Sequence, residues 1–152
     1  VDACNNYSVL IDSVKPWGVV ITNGEFVAMR NTQLNSTSVP VVVQINENDA
    51  GSVQFDNCMF WGSAQYIAQI TGNAQVSMNN CQMQAWDAIY QNNSAAIQVS
   101  DGTVKLVANN FFLDKPQAYF RAGTRKAIAI GNTVEGSVDF KVDDGIQTSI
   151  AK

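Results

Sequence analysis

The chain contains no histidine. That absence removes Ser-His-Asp and Cys-His nucleophile systems and any zinc site built on imidazole. Chemistry of any kind would have to rest on carboxylates, Lys, Arg, Tyr or backbone groups. Cysteine is scarce: Cys4, Cys58 and Cys81 form no CxxC pair. An odd count does not make a closed disulfide framework, so the redox compartment stays open. Charge is sparse as well, with 14% of residues charged, Lys and Arg numbering 9 against 13 Asp and Glu, and a net charge of −4. No basic run occurs, so nucleic acid is not an expected partner. No apolar run is long enough to cross a bilayer, so no membrane partner is expected. No signal-peptide pattern stands at the start, which says little because the chain reads as beginning in mid-architecture. Helical periodicity is missing too. The one candidate, residues 86–98, is broken by "QNNS".

What is present suffices for one domain: 152 residues, 46% of them hydrophobic. The octet "VQFDNCMF" (53–60) returns as "VSMNNCQM" (76–83). "VVITNGEF" (19–26) carries the theme with Asn23. "VKLVANNFF" (104–112) carries it with one extra residue, so that Asn109 or Asn110 fills the Asn slot. "IAIGNTV" (128–134) carries it with Asn132. The Asn slot thus recurs at intervals of 22 to 34 residues. A second theme, apolar-polar-apolar, precedes each slot: "IDS" (11–13), "VQI" (43–45), "AQI" (68–70), "IQV" (97–99) and "FRA" (120–122). A sixth copy, "FKV" (140–142), has no Asn after it.

Alternation with period 2 in segments rich in Val, Ile and Phe predicts strands. Two strand themes at a near-fixed offset, separated by turn signals, describe one coil of a parallel β-helix. An amide turned inward at each bend would satisfy backbone groups there and bond its copy in the next coil. Phe26, Phe60, Met83 and Phe112 would form a core stack, and Asn57 and Asn80 should be buried.

With these octets in view, the chain resembles the right-handed parallel β-helix of the pectate-lyase-like superfamily over about residues 9–145. The resemblance implies an all-β solenoid of about five coils with an Asn ladder. Residues 1–152 read as one β-helix segment, expected to belong to a longer β-helix because neither end carries a cap. An uncapped end exposes strand edges, so the remainder of a parent chain, or an end-to-end or side-by-side oligomer, is the expected partner there.

On this fold related enzymes hold polysaccharides along the outer face of the first sheet. The reading places Asp12, Gln44, Gln69, Gln98, Arg121 and Lys141 in that outward column. The amides suit sugar hydroxyls, and Arg121 and Lys141 suit uronates. The bland alternative is that a solvated sheet face must be polar and stacked glutamines bond one another. Trp61 and Trp86 occupy similar places in successive coils and offer faces to sugar rings, with Tyr90 close by. Asp87 and Asp114 are the candidate catalytic carboxylates. The alternative there is that the Trp residues cover the core and the Asp residues serve turns. "DDG" (143–145) and "NEND" (46–49) are the candidate calcium segments, but no three carboxylates converge by coil register, and no cofactor or metal ligand is assigned. Cys58 and Cys81 read as packing. The function implied is a carbohydrate-active β-helix protein binding a polysaccharide or oligosaccharide at an extracellular or cell-surface location. If catalytic, it would be a polysaccharide lyase or glycoside hydrolase. The alternative is a non-catalytic β-helix for adhesion or assembly, as in a phage tailspike or surface protein.

Overall fold

The computed structural model describes residues 7–12, 18–28, 41–47, 51–62, 64–88 and 91–151. Cys4, Tyr90 and, of "NEND", Asn48 and Asp49 lie outside them. The described residues contain strands, turns and bends and no helix.

The chain winds as a parallel β-solenoid. The first rung is β1 (Val9–Asp12), β2 (Val19–Thr22) and β3 (Glu25–Ala28). The second is β4 (Val41–Glu47), β5 (Ser52–Asp56) and β6 (Met59–Gly62). The third is β7 (Tyr66–Gly72), β8 (Gln75–Asn79) and β9 (Gln82–Gln84). The fourth is β10 (Ile97–Val99), β11 (Gly102–Val107) and β12 (Asn110–Phe112). The fifth is β13 (Ala118–Phe120), β14 (Thr124–Ile130) and β15 (Thr133–Val134), after which β16 (Phe140–Val142) and β17 (Gln147–Ala151) follow. Equivalent strands pair in parallel into sheets of six, six and five strands.

Alternation puts one set of side chains inside. Ile45, Ile70, Val99 and Phe120 stack from the first sheet, and Phe55, Met78 and Leu106 from the second. Phe26, Phe60, Met83 and Phe111 stack from the third. The rings of Phe26 and Phe60 lie parallel, 5.2 Å apart, and Phe55 meets Phe60 edge-on at 5.6 Å. The core residue of the fourth rung is therefore Phe111, and Phe112 faces out at 45% exposure. The octet there is 104–111 with no extra residue. A one-residue slip sends every side chain to the other face.

The bend between the second and third sheets uses two positions where one was expected. The first is left-handed: Asn23, Asn57, Asn80, Ala108 and Gly131 have φ of 55°, 52°, 51°, 54° and 65°. The next residue points inward: Gly24, Cys58, Cys81, Asn109 and Asn132. Asn57 and Asn80 are thus exposed, contrary to the expected burial. They bond each other along the surface, Asn57 Nδ2 donating to Asn23 Oδ1 at 2.7 Å and Asn80 Nδ2 to Asn57 Oδ1 at 3.2 Å. Asn tolerates left-handed backbone better than other residues with a side chain, which explains its place there.

The inward position does the backbone work. Asn109 Nδ2 donates to Met78 O and Asn132 Nδ2 to Leu106 O, both at 2.9 Å. The thiols make the matching contacts two rungs earlier: Cys58 Sγ to Ile21 O and Cys81 Sγ to Phe55 O, both at 3.6 Å. Ile21, Phe55, Met78 and Leu106 are one column of the second sheet. Each inward side chain therefore serves the same carbonyl of the preceding rung. Asn109 Oδ1 also accepts the Cys81 N–H at 2.9 Å. In the first rung Gly24 leaves this slot to the Phe26 ring, since a Cβ on Gly24 would stand 2.7 Å from it.

Candidate functional site

The outer face of the first sheet carries the column Leu10, Gln44, Gln69, Gln98, Tyr119, Lys141. The three glutamines and Lys141 stand where the sequence placed them. Asp12 and Arg121 do not. Asp12 is level with Asn46, and Arg121 follows the end of β13 in a turn closed by Thr124 N to Arg121 O at 2.7 Å. "AYF" and "FRA" alternate equally well, and a shift of two residues keeps every side chain on its face, so pattern alone could not fix this register.

The amides bond within the column and across it. Gln69 Nε2 donates to Gln98 Oε1 at 2.9 Å, and Gln44 Nε2 to Asn46 Oδ1 at 2.6 Å. The Tyr119 hydroxyl donates to Asp143 Oδ1 at 2.8 Å, and that bond chiefly raises its pKa above the usual tyrosine value. Asp143 Oδ2 accepts the Ala122 N–H at 3.0 Å, so both oxygens of this "DDG" carboxylate are engaged. The Arg121 guanidinium lies 5.5 Å from the centre of the Tyr119 ring.

Beside this column opens a cleft of about 250 Å³, lined by Tyr66, Asn93, Ser94, Gln98, Tyr119 and Lys141. Its far wall is the loop between β9 and β10. Ala85, Asp87, Gln91 and Asn93 all take left-handed backbone there, with φ between 51° and 60°. Four such residues in one loop need an organiser, and Asp87 is it. Its carboxylate accepts the Asn92 N–H at 3.2 Å and the Ser94 N–H at 3.1 Å, and pairs with Lys115 Nζ at 3.1 Å. Lys115 Nζ also donates to the Asp87 carbonyl at 2.7 Å. Trp86 Nε1 donates to Ser94 O at 3.2 Å, and its ring meets Phe111 edge-on at 6.1 Å.

These contacts correct two expected roles. Asp87 and Trp86 have 0% exposure, so neither presents itself to a ligand. Given to two backbone amides and an ammonium, this carboxylate serves as the clamp of its own loop. Asp114 is exposed, and its Oδ1 accepts the Ser137 N–H of the next rung at 3.1 Å, tying two loops together. Trp61 is 45% exposed but lies in β6, on the outer face of the third sheet, level with Gln84 and Phe112. It is not the counterpart of Trp86.

Tyr66, Asn93, Ser94 and Tyr119 were missed as cleft residues. Tyr119 sits mid-strand as an outward member of an alternation, which was the available signal; Tyr66 opens β7 in the parity of the buried Ala68 and Ile70, so alternation hid it. Asn93 and Ser94 carry none, because the loop has no period. Gln65, 8% exposed, ties loop to cleft through Nε2, which donates to Ser94 Oγ at 2.8 Å and to the Tyr66 oxygen at 3.3 Å. Among the described residues no three His, Cys, Asp or Glu side chains gather as metal ligands. No protein-family model matches the chain, and no curated protein and no solved structure matches it.

Proposed function

We propose that this chain holds a glycan along the outer face of its first sheet, as part of a carbohydrate-active β-solenoid at the cell surface or outside the cell. The observation that carries this reading is the cleft at Gln98, where two tyrosines, an amide column and a lysine converge on one rigid sheet. Tyrosine rings cover sugar faces, and side-chain amides match the paired donor and acceptor character of sugar hydroxyls. Rungs repeat about every 4.8 Å, close to one sugar unit, so an extended chain can meet one outward residue per sugar. The likeness of the octets to pectate-lyase-like repeats agrees with this use of the face.

The residues around the cleft favour holding over cleaving. Its lining includes no carboxylate, Asp87 is buried and Asp114 bonds the loop of the next rung. Hydrolysis by paired carboxylates would need both of them on this face. The test is calorimetric titration with a panel of oligosaccharides. Tyr66→Ala should weaken binding about tenfold, roughly 1.4 kcal/mol, and Trp61→Ala on the other sheet should leave it unchanged. Absence of binding by the folded chain across the panel would reject the reading.

A second reading, assembly, rests on a different observation. Val142 and Ile150 occupy inward columns of β16 and β17 yet are 39% and 38% exposed. A further rung of protein, from the same chain or another copy, would cover them. Concentration-dependent sedimentation, abolished by Val142→Glu, is the expected result. A monomer at all concentrations would reject association between copies.

A further inference from the structure

The hydrogen bonds around the cleft are one-sided. Most acceptors there are already used: Gln98 Oε1 takes the Gln69 amide, and the two Asp143 oxygens take the Tyr119 hydroxyl and the Ala122 N–H, while the Asn93 side-chain amide brings one free acceptor together with two donors. Donors are left over. Gln98 Nε2 has no partner among the described residues. Ser94 Oγ and the Tyr66 oxygen each accept from Gln65 Nε2, which leaves both hydroxyl protons free to point into the cleft. Lys141 lines the cleft, and its Nζ forms no ion pair or hydrogen bond among the described residues. Charge runs the same way. Lys141 and Arg121 lie beside Tyr119, whose hydroxyl bonds Asp143, although the chain as a whole is net −4.

A surplus of donors with an unpaired ammonium is the complement of a group that only accepts. We propose that this cleft takes an oxyanion, a carboxylate or sulfate ester borne by the glycan, with Lys141 as its counter-charge and Gln98 Nε2, Ser94 and Tyr66 as neutral donors. This rests on the glycan reading above. Hydrogen bonds to an ionised acceptor are roughly twice as strong as neutral ones, so the anionic group fixes the register of the sugar chain on the rungs.

The test titrates the full chain with three probes: a carboxylated oligosaccharide, a neutral one of equal length, and inorganic sulfate. Lys141→Ala is the variant, its side chain being exposed and its fold checked by circular dichroism. The expected result is tighter binding of the carboxylated probe, a loss of about tenfold in Lys141→Ala for that probe alone, and a preference that shrinks with added salt. Equal binding of both oligosaccharides, or an equal loss for both in Lys141→Ala, overturns the oxyanion and leaves the glycan reading intact. Inorganic sulfate bound through Lys141 with no oligosaccharide bound upholds an oxyanion site and overturns its glycan source. No binding of any probe overturns both.

Discussion

At the bend between the second and third sheets, two adjacent residues divide the labour. Asn23, Asn57 and Asn80 ease the left-handed turn, and Ala108 occupies the same conformation with a side chain that gives no local help. Ala108→Asn should raise stability by about 1 kcal/mol and extend the surface amide row from Asn80; a lowered urea midpoint would contradict this. Asn109 is fully buried and serves Met78 O and Cys81 N. Asn109→Leu should cost about 1–3 kcal/mol through those orphaned groups, and an unchanged midpoint would refute the inward ladder. Burial pushes the Cys81 thiol from 9.0 up to about 12. The folded chain then keeps a proton that the unfolded chain releases above pH 9. The stability tied to that proton is complete below pH 9 and falls as pH rises toward 12. Cys81→Asn should flatten that fall while keeping a donor for Phe55 O, and parallel pH profiles would contradict the assignment. The sequence showed an Asn in every repeat but merged two positions into one, because Asn suits both a left-handed backbone and a donor-acceptor ladder. The cysteines looked like packing because nothing in a sequence marks a thiol as a carbonyl donor.

At the scale of elements, strands were legible and their partners only in part. Period-2 alternation identified the first-strand theme at Gln44, Gln69 and Gln98, and the structure pairs those residues directly. It failed at Tyr119 and Arg121 because it is blind to a shift of two. The loop between β9 and β10 was opaque, since its form depends on contacts rather than pattern. Asp87 looked catalytic for the reason that makes it a clamp: a carboxylate set among polar residues in a turn. Removing one partner of a buried ion pair leaves the other unpaired, so Asp87→Ala should cost about 3 kcal/mol or more. Amide hydrogen exchange at Asn92 and Ser94 should accelerate with it. Exchange rates equal to those of the parent chain would show that the loop holds its shape without Asp87.

For the whole molecule, the solenoid turns a short repeat into a long, stiff surface. Each rung adds one residue to every outward column, so the first sheet presents a ruler of amides ending in Tyr119 and Lys141. The aromatic residues Trp61 and Phe112 lie on another face and serve as an internal control. Oxidative footprinting with and without a saturating oligosaccharide reads both faces in one experiment. Protection of Tyr66 and Tyr119 with Trp61 and Phe112 unchanged is the result expected for a glycan on the first sheet. Protection of Trp61 and Phe112 with the two tyrosines unchanged would contradict it.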